Sequence, residues 1–121
     1  MPRKLIQSLG FANRGLVYIL KTQRNMQIHI LLGLLVLLFA LILGVERWEI
    51  VALLSAIFLV IITEMINTAI EEVVNLATLS HKARAMVAKD ISAASVLVAS
   101  LGAIIIGCLI LGEKLIRLCL K

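Results

Sequence analysis

The stretch Ile50–Asn75 reads IVALLSAIFLVIITEMINTAIEEVVN. Between Glu49 and Glu71 lie 21 positions whose only charge is Glu64. A helix needs about 20 largely apolar residues to cross a bilayer, so this stretch predicts a membrane span with a carboxylate inside it. At 100° per residue, Glu64, Asn67, Glu71 and Asn75 fall within a stripe about 80° wide. Thr68 flanks the stripe, while Ile66, Ile70 and Val73 face elsewhere. The span is an amphipathic insert in lipid rather than a plain anchor.

Outward from this stretch the same reading repeats. Asn25–Val45 contributes 21 residues and Ile91–Gly112 contributes 22, with no Asp, Glu, Lys or Arg in either. The prediction is three spans, at about 25–45, 50–75 and 86–112. Residues 4–22 differ. Leu5, Leu9, Ala12, Leu16 and Leu20 recur every three or four positions, with Lys4, Ser8, Arg14 and Lys21 largely off that face. That pattern predicts an amphipathic helix lying on the membrane surface. The fold class expected is therefore an all-α membrane protein, one domain of residues 1–121. The first apolar run starts late and lacks a small-residue cleavage site, so no secretory leader is expected.

Composition agrees. Of 121 residues, 62% are apolar and 16% charged, with a mean hydropathy of +1.11. A soluble domain this small has too much surface to hide so much apolar side chain, and disorder needs low hydrophobicity. Five Lys and Arg precede the first span, one lies in the first loop, three in the second and three in the tail. By the positive-inside rule the N-terminus and second loop are expected in the cytoplasm. The net charge of +5 reads as topology and attraction to anionic lipid rather than nucleic-acid binding, since the basic residues are not interleaved with aromatics. Cys108 and Cys119, eleven apart on a helix, are about 16 Å apart, too far for a disulfide; they read as packing residues.

A carboxylate inside a bilayer is costly and usually functional. Asn67 and Thr68 alone would serve as hydrogen-bonding glue between helices; Glu64 with Glu71 in register reads as a site. Lys89-Asp90 opens the third span at the depth of this stripe. Asp90 there also reads as a helix N-terminal acid. Two carboxylates, an amide and an ammonium at one interface point to phosphoryl transfer, with a carboxylate as general base on a hydroxyl. No Gly-rich phosphate loop is present. A lipid phosphatase using the same groups, and a helical scaffold or pore, stand as alternatives. The small residues Ser95, Ala99, Ala103 and Gly107, at steps of four, read as a helix-packing stripe.

Glu64-Met-Ile-Asn67-Thr-Ala-Ile-Glu71, with Lys89-Asp90 fourteen residues after Asn75, resembles the prokaryotic diacylglycerol kinase and undecaprenol kinase family. The likeness runs from about Phe11 to the end of the third span. Arg24-Asn25-Met26-Gln27-Ile28-His29 looks more like the undecaprenol kinase branch. The resemblance implies a homotrimer in the bacterial inner membrane, with cytoplasmic active sites between subunits. It implies ATP as co-substrate, Mg2+ as the metal and a membrane lipid alcohol as acceptor. By the match, Glu64 is the general base, Asn67 orients the phosphate or the base, and Glu71 holds the metal. Lys89, Asp90 and Phe11 fall to the nucleotide. Where the family usually has a second metal-binding Glu this chain has Gln23, and where it usually has Asp this chain has Asn75. Gln23 keeps an oxygen donor without the charge; Asn75 becomes a mixed donor and acceptor.

Overall fold

The structure, a computed structural model, describes residues 2–77 and 82–120. Lys121, counted above among the tail charges, lies outside the described residues. Among the described residues four helices follow one another: α1 Pro2–Thr22, α2 Arg24–Ile42, α3 Arg47–Ala77 and α4 Ala83–Cys119. The last three are long and apolar enough to cross a membrane. The protein is thus all-α, with three membrane helices and an additional N-terminal helix. α2, at 19 residues, is about 28 Å long and matches a hydrocarbon core of about 30 Å. α4, at 37 residues, is about 55 Å and outruns it. It starts at Ala83, so Asp90 lies two turns inside α4 and does not cap it.

No Gly or Pro marks the joint between α1 and α2. The break is the extended backbone of Gln23 (φ −102°, ψ 104°). It is held by partners for the last carbonyls of α1, which a helix end leaves orphaned. Thr22 Oγ1 donates to Tyr18 O at 2.8 Å, the Gln23 N–H to Ile19 O at 2.9 Å, and Gln27 Nε2 to Leu20 O at 2.9 Å.

The α2–α3 turn is legible in Gly44. Its φ of +63° is the left-handed conformation glycine adopts without strain. Gly44 N–H bonds Leu41 O at 3.3 Å and Val45 N–H bonds Ala40 O at 3.2 Å, the paired bonds of a Schellman motif. Val45 packs against the core cluster of Ala40, Leu53 and Ile110. Glu49 Oε2 then accepts from the Glu46 N–H at 2.6 Å, the reciprocal half of a capping box at the start of α3.

α3 packs most extensively on α4. Two polar contacts set their antiparallel register. Lys89 Nζ donates to Asn75 Oδ1 at 2.9 Å near the α1 end of the bundle. Lys114 Nζ pairs with buried Glu49 Oε2 at 3.0 Å at the opposite end. Residues whose numbers sum to about 164 therefore lie level, which puts Glu64 at the height of Ser100. The buried apolar core, Ala40, Leu53 and Ile110, sits toward the Glu49 end. α2 approaches α3 through Gly33, where an added Cβ would lie 2.9 Å from Ile57 Cγ2. Much of the remaining apolar surface points outward, Leu31, Leu34, Leu38 and Leu41 among it, as membrane helices require.

Candidate active site

The polar stripe of α3 descends from its end into the bundle. Asn75 is exposed and Glu71 half-buried, while Asn67, Thr68 and Glu64 are buried, Glu64 to 3% exposure. Helical spacing alone produces the gradient: each turn carries one member of the stripe about 5.4 Å deeper. Glu64 is therefore a carboxylate shielded from water, at the foot of a polar column that reaches the surface.

Within the column, Asn67 Nδ2 donates to Glu71 Oε1 at 3.3 Å and leaves Asn67 Oδ1 buried with no partner. Thr68 Oγ1 donates back to Glu64 O at 3.0 Å, an internal helix contact that leaves the carboxylate out. At the top, half-buried Lys89 reaches Asn75 from α4, so the ammonium meets the exposed end of the stripe, eleven residues along α3 from Glu64. Asp90 is exposed beside it.

Gln23 stands half-buried at the α1–α2 joint. Phe11, on the outer part of α1, is 63% exposed, and the Arg14 guanidinium lies 4.8 Å from its ring centroid. The ring thus stands at the surface beside a cation rather than in the α3–α4 column.

Several residues near the column carry no site role in the sequence reading, Glu72 among them, which reads as a solvated acid. Glu72, off the stripe, accepts a hydrogen bond from Tyr18 of α1 at 3.1 Å, so it ties the N-terminal helix to the end of α3. His29 of α2 lines the space between α2, α3 and α4 that Val60, one turn from Glu64, also lines. Ser92 of α4 is buried, level with Glu72, and its Oγ has no partner. Charge and periodicity do not find these. The signal available was antiparallel pairing, which places Ser92 and Ser100 opposite the stripe once Lys89 is paired with Asn75.

Among the described residues no three His, Cys, Asp or Glu side chains gather as a metal cluster. Mg2+ does not need one, because it is usually held by one or two carboxylates, substrate phosphates and water. Glu71 and the orphaned Asn67 Oδ1 are hard oxygen donors on adjacent turns, so the donor set fits such an ion.

Comparison with known proteins gives a consistent result. The family model for prokaryotic diacylglycerol kinase matches residues 10–111. The chain is 39% identical over 109 residues to a diacylglycerol kinase of Synechocystis, covering 88% of this chain but 62% of that protein. It is 37% identical over 114 residues to the undecaprenol kinase of Bacillus subtilis, covering 93% of this chain and 91% of that one. The matched region contains the whole column from Glu64 to Asn75 and the Lys89 that meets it. The chain belongs to the prokaryotic diacylglycerol kinase family, a family of membrane lipid kinases.

Proposed function

We propose that this chain transfers the γ-phosphate of ATP to the hydroxyl of a membrane lipid alcohol, undecaprenol or diacylglycerol. One observation carries the assignment of roles: a carboxylate buried in a membrane helix, Glu64, lies below a polar column that ends at a cation. The acceptor hydroxyl arrives from lipid and the nucleotide from water, so the reacting groups meet along that column.

Glu64 takes the hydroxyl proton as the lipid oxygen attacks the γ-phosphorus. A phosphate ester forms, the bond to the bridging oxygen breaks, and ADP leaves. Asn67 orients the base and the incoming phosphate, and Thr68 packs the turn between them. Glu71 would hold Mg2+, with Gln23 and the unpartnered Asn67 Oδ1 as further oxygen donors, and the ion would supply neutralisation of phosphate charge. Lys89, steadied by Asn75, binds the phosphates, while Asp90 and Phe11 seat the nucleotide.

The N-terminus and column face the cytoplasm, as the Lys and Arg bias indicates and as ATP requires. Three membrane helices per chain form a thin bundle with large apolar faces outward. A homotrimer, with sites between subunits, covers part of that surface.

Purified protein in micelles, with ATP, magnesium and a panel of lipid alcohols, tests the reading. Glu64→Gln is expected to lose about 10²–10⁴-fold in turnover, the usual worth of a general base, with fold and oligomeric mass unchanged. Near-wild-type phosphorylation by Glu64→Gln sinks the base assignment. Release of phosphate from a lipid phosphate without ATP selects a phosphatase instead.

A further inference from the structure

Six hydroxyl side chains lie in the described parts of α3 and α4. Four fold back on their own helix, as Ser and Thr do in apolar surroundings. Ser55 donates to Val51 O at 2.8 Å, Thr63 to Leu59 O at 3.0 Å, Thr68 to Glu64 O at 3.0 Å and Ser95 to Ser92 O at 2.6 Å. Ser92 and Ser100 do not, and both have a buried Oγ without a partner. Ser92 is level with the metal end of the column. Ser100 is level with Glu64 but lines something else.

That feature is a groove of about 600 Å³ between α2, α3 and α4. Gly33 lines it from α2, Ala56 and Val60 from α3, and Ala103 and Gly107 from α4. The small-residue stripe of α4 thus leaves space beside α2 as well as packing helices. Val60 is one turn from Glu64, so the α3 wall of the groove runs directly into the column. Apart from His29 and Ser100 at this head, and the thiol of Cys108, the lining is apolar. Along α4 the groove extends from Ser100 to Leu115, about 22 Å of helix. Its shape and polarity suit a hydrocarbon chain whose head lies at Ser100 and whose hydroxyl faces Glu64.

We propose that Ser100 is a specificity-determining residue, whose hydroxyl donates to an ester oxygen of an acceptor lipid with its acyl chain in this groove. The inference rests on the lipid kinase reading and deepens it. A buried donor without a partner carries a desolvation cost, and any ligand that pairs it recovers that cost. A plain polyprenol places only hydrocarbon at the head of the groove and leaves Ser100 unpaired. A glycerolipid places an ester oxygen there, on the carbon next to the one bearing the free hydroxyl.

The test compares Ser100→Ala with wild type on diacylglycerol and on a polyprenol. The ratio of kcat/KM for diacylglycerol to that for polyprenol is expected to fall about tenfold, the worth of one hydrogen bond left unmade. Ser100→Thr, which keeps the hydroxyl, is expected to preserve the ratio. An equal fall on both lipids, no fall, or a wild-type protein that ignores diacylglycerol overturns the proposal. Gly107→Leu checks the occupant, since a Cβ there meets nothing within 4 Å and the side chain would obstruct the groove. It is expected to raise KM for diacylglycerol at unchanged oligomeric mass. Loss of the oligomer would mean that a second copy fills the groove, and would overturn the proposal. Failure of the kinase reading is separate: it shows as no lipid alcohol phosphorylated by ATP at all.

Discussion

Lys89 Nζ donates to Asn75 Oδ1 at 2.9 Å, joining the start of α4 to the end of α3. The bond places a cation at the mouth of the polar column and holds it with a neutral acceptor, so the ammonium keeps its charge for a phosphate. Lys89→Met is expected to raise the KM for ATP about tenfold, the order of one charge-assisted hydrogen bond. Asn75→Ala, which only frees the ammonium, is expected to raise it less. Steady-state kinetics with ATP and then lipid varied checks this. A matching rise in the lipid KM would place Lys89 elsewhere.

Gln23 sits at the extended joint between α1 and α2 with an amide where the family usually has a carboxylate. A neutral oxygen binds a hard cation less strongly than a charged one. Gln23→Glu is expected to lower the magnesium concentration giving half-maximal activity. A magnesium titration of both proteins decides it. Superimposable curves would remove Gln23 from the metal.

Tyr18 is the sole tyrosine, and its phenol donates to Glu72 across the α1–α3 gap. That hydrogen bond, and then the Glu72 charge, raise its pKa above the ordinary 10.0. The sign follows from linkage: the tether contributes fully below pH 10.0 and is lost as pH climbs through the raised value. Ultraviolet difference titration should give a midpoint above 10.0 in the folded protein. Glu72→Gln should move it back down, and an unmoved midpoint would mean the contact does not form in solution.

Glu49 is nearly buried and meets both Lys114 Nζ at 3.0 Å and the Glu46 N–H at 2.6 Å. Removing one partner of a buried pair strands the other charge, at a cost of about 3–5 kcal/mol. Lys114 keeps 18% exposure, so Lys114→Met is expected to destabilise the fold by less than breaking a fully buried pair would. Trp48, the sole tryptophan, bonds Glu46 Oε2 at 2.7 Å and reports this end by fluorescence during unfolding. Unfolding as late as wild type would show that the pair adds nothing net.

The site was legible in the sequence where one helix carries it. Glu64, Asn67, Glu71 and Asn75 share a face by spacing alone, and Lys89 follows because a short return must bring the next span alongside. The break at Gln23 was legible as the change from the amphipathic pattern of residues 4–22 to the apolar run from Asn25, but what holds it was not. No helix breaker stands there, and the side chains of Thr22 and Gln27 hold the joint by contacts that appear only once the chain has turned. Glu72 reads as a solvated acid until α1 is laid against α3.

By itself the sequence determined that the chain lies in a membrane, that it crosses three times, and which α3 face is polar. Hydropathy and the 3.6-residue period act within one segment and need no partner to be read. The tertiary structure alone decided that Glu49 meets Lys114, that Tyr18 meets Glu72, and that Ser100 stands unpaired beside a groove leading to Glu64. Those depend on the register and rotation of separate helices. These are set by close contacts such as Gly33 against Ile57, which no single segment encodes.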